Sequence, residues 1–140
     1  MSEPFKAEVV TPRGIVLDKA VEELIAPGIM GEFGVLIGHT PMLTFIKPGV
    51  LSYLENGKFI RYAVGSGICE VQPKSVTVLV EEAVSENEID AAQARQDLAD
   101  CENQLKQIDA LAEPAAYQGV LTKVKLARAK VSLTEAGPSH

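Results

Sequence analysis

Tryptophan is absent from this 140-residue chain and aromatic residues make up only 5% of it, so any core must be mostly aliphatic. Cysteine is as scarce: Cys69 and Cys101 lie far apart, in stretches of different character, and read as two reduced thiols of a cytosolic protein. Histidine occurs twice, as His39 and His140, and a metal site needs three or four convergent ligands, so no metal is expected. There is no basic excess. The formal net charge of -6 argues against a general nucleic-acid or anionic-membrane binder. No run of ~18 apolar residues is present to span a bilayer. The start, Met1-Ser2-Glu3-Pro4, lacks the basic residues and long apolar run of a signal peptide. No direct membrane insertion is expected, and a role at a membrane would be held through another subunit.

What is present is enough apolar material for a core, 46% hydrophobic against 23% charged, in a length that suits one domain or a domain with an appendage. Residues 31–49 are punctuated by Gly31, Gly34, Gly38, Pro41, Pro48 and Gly49, with short apolar runs between them. No helix survives that spacing, which predicts short strands and tight turns, with Glu32 and His39 on turns at the rim. Before it, Phe5–Val10 alternates apolar and polar as a strand buried on one face does. Thr11–Gly14 reads as a turn, and Ile15–Leu17 and Ala20–Ala26 as two further strands. After it, Val50–Glu55 and Lys58–Val64 flank Asn56-Gly57, the strongest short-range hairpin signal, because a type I′ turn needs positive φ at both central residues. Gly65-Ser66-Gly67 breaks the run, and Ile68–Val71 and Val76–Val80 are strands joined through residues 72–75. Many short strands with hairpin-like connections and no helix between them predict an all-β sandwich or small barrel that is not mostly parallel, over residues 1–84.

From Ser85 the pattern turns helical. Ser85-Glu86-Asn87-Glu88 has the form of a capping box, with Asn87 as a second possible N-cap. Ala94, Leu98, Cys101, Leu105, Ile108 and Ala112 then recur at alternating spacings of four and three, the stripe of a helix packed on another helix. Pro114 suits the first turn of a second helix, along which Tyr117, Leu121, Val124, Arg128 and Val131 share a side, thickened by Val120 and Ala127, before a frayed Gly137-Pro138-Ser139-His140. Residues 85–140 are thus expected to form an antiparallel α-helical hairpin. Its charges divide by helix: residues 86–113 carry eight acids against Arg95 and Lys106, and residues 114–140 carry Lys123, Lys125, Arg128 and Lys130 against Glu135 alone. That division fits a hairpin whose solvated faces attract weakly, and equally a basic helix that leaves its partner for another acidic surface.

Three stretches together resemble a known family. Gly31-Glu32-Phe33-Gly34 followed by Gly38-His39-Thr40-Pro41, Thr44 and Lys47-Pro48-Gly49, then Gly65-Ser66-Gly67-Ile68-Cys69-Glu70-Val71, then Val76-Thr77-Val78-Leu79, is similar to the epsilon subunit of bacterial F-type ATP synthases. The resemblance implies a sandwich of about ten strands in two sheets followed by the helical hairpin, with no active site and no cofactor of its own. It implies a non-catalytic rotor subunit coupling the gamma stalk to the c-ring, peripheral on the cytoplasmic face of the bacterial inner membrane. Its helices would extend toward the catalytic alpha and beta subunits and inhibit ATP hydrolysis. By the same resemblance Glu32, Phe33 and His39 would meet the rotor and c-ring, and Lys123, Lys125, Arg128 and Lys130 would give the inhibitory helix its basic character. Some relatives bind ATP at the hairpin, through positions matching Asp90, Ala94 and Arg128. Here Gln93 and Ser132 stand where arginines are expected, and neither offers a triphosphate a cationic fork. Two other readings are a nucleotide-sensing binding module and a hydrolase using His39 with Cys69, although no nucleophile-elbow or papain-like signature surrounds Ser66 or Cys69.

Overall fold

Alternation in the sequence becomes alternation of burial in the computed structural model, which describes residues 3–135. Ten strands come first: β1 (Phe5–Thr11), β2 (Gly14–Val21), β3 (Glu23–Gly28), β4 (Gly31–Val35), β5 (Met42–Ile46), β6 (Gly49–Glu55), β7 (Lys58–Val64), β8 (Gly67–Gln72), β9 (Ser75–Val80) and β10 (Ala83–Ser85). Two helices follow, α1 (Ala91–Lys106) and α2 (Pro114–Glu135). In β1 the residues Phe5, Ala7 and Val9 turn inward, and in β9 Val76, Val78 and Val80 do. They meet Leu24, Val35, Leu51, Val64, Cys69 and Val71 in one aliphatic core drawn entirely from the strands. Asn56 and Gly57 both have positive φ, 52° and 78°, as the hairpin between β6 and β7 requires.

The hydrogen-bonded strand order is β10-β7-β6-β3-β5-β8-β9-β1-β2, with β4 against β3. The two layers of the sandwich are therefore continuous. β3 pairs with β6 through Glu23–Ile25 and passes to β5 at the single pair Gly28↔Ile46. All the ladders are antiparallel except β1 with β9, which run parallel. The expected break after Leu17 is absent: Asp18 and Lys19 continue β2, and the chain turns at Glu22 instead. Both side chains are exposed there, Asp18 within 3.6 Å of Lys6 and Lys19 within 3.3 Å of Glu55, so polarity alone does not end the strand.

Ser85 forms its capping box with Glu88, but the box closes a single 3-10 turn, Glu86–Glu88, rather than α1. After two extended residues, Ile89 and Asp90, the helix is capped by Asp90, whose Oδ1 accepts from the Gln93 N–H at 3.0 Å; Asn87 does not cap it. Helix α1 also ends earlier than its stripe suggests, at Lys106. The Asp109 carboxylate accepts from the amides of Leu111 and Ala112, a local turn that competes with helix, so Ile108 and Ala112 belong to the connection. Pro114 opens α2 as expected. α2 buries Val120, Val124, Ala127 and Val131 at spacings of four, three and four, the stripe that suits its contact with α1. A second stripe, Ala129 and Leu133 with half-buried Leu126, packs on Ala63 and Val50 of the β body. Arg128, placed on the apolar side by its spacing, is exposed, and the Gly137–His140 tail lies outside the described residues. No helix among the described residues is long and apolar enough to cross a membrane.

Candidate functional site

The glycine-punctuated stretch folds as β4, a loop over residues 36–41, and β5. Gly31 (φ +128°) and Gly38 (φ +79°) occupy backbone conformations that favour glycine. Glu32 lies in β4 opposite Pro27 rather than on a turn, with its side chain exposed. Phe33 points the other way, packing on the core and over Gly28, where a Cβ would come within 2.9 Å of its ring. Beside Glu32 the β3–β4 turn presents Ile29 and Met30, the latter 94% exposed, which sequence reasoning had not singled out. His39 is half-buried in the loop before β5, its N–H bonded to Leu36 O, and its Nδ1–H donates to the Thr40 carbonyl at 2.7 Å. Gly38 N–H donates to Pro73 O at 2.7 Å and fixes the loop to the β8–β9 turn, whereas Ile29 N–H bonds to Phe45 O. Glu32, in β4, and His39, in the loop before β5, thus sit on separate segments, with no hydrogen bond between them. His39 and Cys69 do not form a catalytic pair: Cys69 is fully buried, and burial pushes its thiol up to about 12, where no useful thiolate exists. No group of three His, Cys, Asp or Glu side chains placed to hold a metal ion occurs among the described residues.

The outer face of the sheet carries a feature hidden in the linear sequence. Phe45 of β5 pairs with Ile68 of β8, Ile68 with Leu79 of β9, Leu79 with Val10 of β1, and Val10 with Ile15 of β2. These five residues form one apolar row across five strands, with Phe45 and Ile15 each 62% exposed. The adjacent row is polar except at Leu43: Glu70, Thr77, Glu8 and Asp18. A shallow groove follows the apolar row past Pro12 and Gly67. Each strand did carry a local signal, an apolar residue in the outward phase, such as Leu79 between inward Val78 and Val80. Contiguous apolar surface of this kind marks an interaction site.

On the hairpin, Lys123 and Lys125 are exposed, while Arg128 reaches Glu102 of α1 at 3.3 Å and Lys130 reaches Glu82 at 2.7 Å. A pocket of about 200 Å³ between the junction and α2 is lined by Glu88, Asp90, Gln93, Ala94, Asp97 and Lys130, among others. Asp90 and Ala94 therefore come together, but Lys130 supplies the cation, because Arg128 turns to Glu102. Gln93 donates to Asp97 at 2.8 Å.

Comparison with known proteins agrees with this architecture. Residues 4–86 match the family described as ATP synthase, Delta/Epsilon chain, beta-sandwich domain. The ATP synthase epsilon chain of Trichlorobacter lovleyi is 40% identical over 137 residues, covering 98% of this chain and 96% of that one. That of Geotalea daltonii is 40% identical over 139 residues, covering 99% and 98%. Among solved structures, a chain of the Euglena gracilis mitochondrial ATP synthase, in an OSCP/F1/c-ring cryo-EM structure, superposes with a TM-score of 0.79 at 20% identity, covering 95% of this chain and 82% of that one. A chain of the Tetrahymena thermophila mitochondrial ATP synthase central stalk and c-ring gives 0.65 at 15% identity, covering 93% and 98%.

Proposed function

The chain belongs to the ATP synthase epsilon-chain family, an accessory subunit of that complex, and we propose that it clamps the gamma stalk to the c-ring and restrains ATP hydrolysis through its helical hairpin. The observation that carries the clamp is the apolar row Phe45–Ile68–Leu79–Val10–Ile15. Neither helix covers it, and it matches in kind a stalk helix that lays an apolar face into the groove. Ile29, Met30 and Glu32 form the end offered to the polar loops of the ring, and His39 acts by holding its loop rather than by chemistry. Binding a proton-driven rotor from the cytoplasmic face suits a chain whose described helices include no membrane span.

Restraint of hydrolysis is supported by how lightly the hairpin is held. Helix α1 fully buries only Ala94, and Lys123 and Lys125 stay exposed for an acidic surface on the catalytic subunits. A nucleotide-sensing role is not favoured. The hairpin pocket is below the ~300–1,000 Å³ usual for small-molecule sites, and it sets three carboxylates against one ammonium, which repels a triphosphate. The test uses complexes carrying either Leu79→Asp or a chain ended at Glu88. Leu79→Asp should reduce co-purification with gamma by ~10-fold or more, as expected when a charge is set into a buried interface position. The shortened chain should assemble normally and raise ATPase activity. Full recovery of gamma with Leu79→Asp removes the stalk face, and unchanged hydrolysis removes the inhibitory role.

A further inference from the structure

Where the hairpin meets the body, apolar contact is sparse. The shared cluster contains two methyl groups, those of Ala63 and Ala129, and one large buried side chain, Leu133, edged by half-buried Val50, Ile89 and Leu126. Two ion pairs flank it. Arg61 of β7 holds Glu86 through Nη2 and Nε, at 3.0 and 3.1 Å, with both side chains about three-quarters buried or more. This pair lies on the body side of Ile89 and Asp90, the two extended residues that separate the 3-10 turn from α1. The second pair lies beyond them: Lys130 of α2 reaches back to Glu82.

We propose that Lys130–Glu82 is an electrostatic latch that sets how often α2 leaves the β6–β7 surface. The Arg61–Glu86 clamp keeps the junction fixed while the hairpin pivots at Ile89-Asp90. Lys130 does more than pair with Glu82. Its side chain lines the pocket that also presents Glu88, Asp90 and Asp97, so one ammonium is counter-ion to a group of carboxylates. Removing it leaves those acids facing one another, whereas removing Glu82 leaves Lys130 with other partners. Loss of Lys130 should therefore loosen the hairpin more than loss of Glu82. The inference rests on the reading of the hairpin as a mobile element.

The experiment uses the full chain with Ala129→Cys, which sets a thiol in the seam, and Cys101→Ser to remove the half-buried native thiol. Fully buried Cys69 remains as an internal reporter of global unfolding. The labelling rate with Ellman's reagent then reports undocking. Glu82→Gln should raise the rate at position 129 by ~2- to 5-fold, the range of a part-exposed ion pair, and Lys130→Gln by more. Raising NaCl from about 20 mM to about 0.5 M should speed the parent, speed Glu82→Gln less, and slow Lys130→Gln, where it screens the acids left facing one another. Labelling at 129 that ignores both substitutions, or that rises only in step with Cys69, overturns the latch. Hydrolysis by complexes carrying Glu82→Gln, which leaves α2 itself unchanged, separates the two readings. Deeper inhibition supports both, while faster labelling with unchanged hydrolysis keeps the latch and removes the inhibitory role.

Discussion

Cys69 and Tyr53 show how burial alone determines a side chain's chemistry. Desolvation pushes the Cys69 thiol from an ordinary 9.0 up to about 12. The Tyr53 phenol is pushed from 10.0 up to about 12, chiefly by burial and then by Tyr62, whose ring centroid lies 6.3 Å away, and by Glu55. Both are protonated in the folded chain, while the unfolded chain releases these protons near the ordinary values. The unfolded state therefore binds fewer protons above pH 9, so stability is full below that point and falls as pH rises toward 12. The thermal midpoint should drop steadily from about pH 9 to 11, and Tyr53→Phe should flatten part of the slope. A pH-independent midpoint over that interval would contradict the assignment. At this scale the sequence was read well for His39, expected on a turn and found in the loop before β5, bonded to the Thr40 carbonyl, and poorly for Met30. A single exposed methionine carries no pattern of its own, and only the turn geometry between β3 and β4 reveals it.

Individual elements were legible where a local rule acts without competition. Asn56-Gly57 needs no partner to demand its turn, and Pro114 none to open a helix. The misplacements came where two local devices compete. Ser85 with Glu88 is a genuine capping box, yet Asp90 stands immediately before the first alanines and takes over as the cap of the α-helix. Asp109 likewise diverts the amides that would have prolonged α1. Asp90→Ala should cost about 1 kcal/mol of helix stability. Because α1 fully buries so little, the loss should appear as fraying: weaker helical circular dichroism at an unchanged midpoint for the β body. A lowered body midpoint would mean that the cap supports more than its own helix.

At the scale of the molecule the core contains no fully buried residue from either helix. A chain ending at Glu88 should therefore unfold cooperatively, within about 5 °C of the full-length midpoint. Aggregation or a broad, non-cooperative transition would show that the hairpin completes the body. The all-β body and helical hairpin could be read from periodicity, but the apolar row proposed to meet the stalk could not. It is assembled from β5, β8, β9, β1 and β2, and strand register between such distant segments is not encoded locally. The parallel ladder between β1 and β9 has a further consequence for how the molecule is made. Lys6 to Val10 lie beside Ser75 to Leu79, so β1 leaves the ribosome well ahead of β9 and has to wait for it before it gains that neighbour. Loop closure over that separation makes folding of the body slow. Until β9 emerges, the nascent chain exposes one side of β1, and a chaperone able to shield Phe5, Ala7 and Val9 would speed maturation without touching the finished protein.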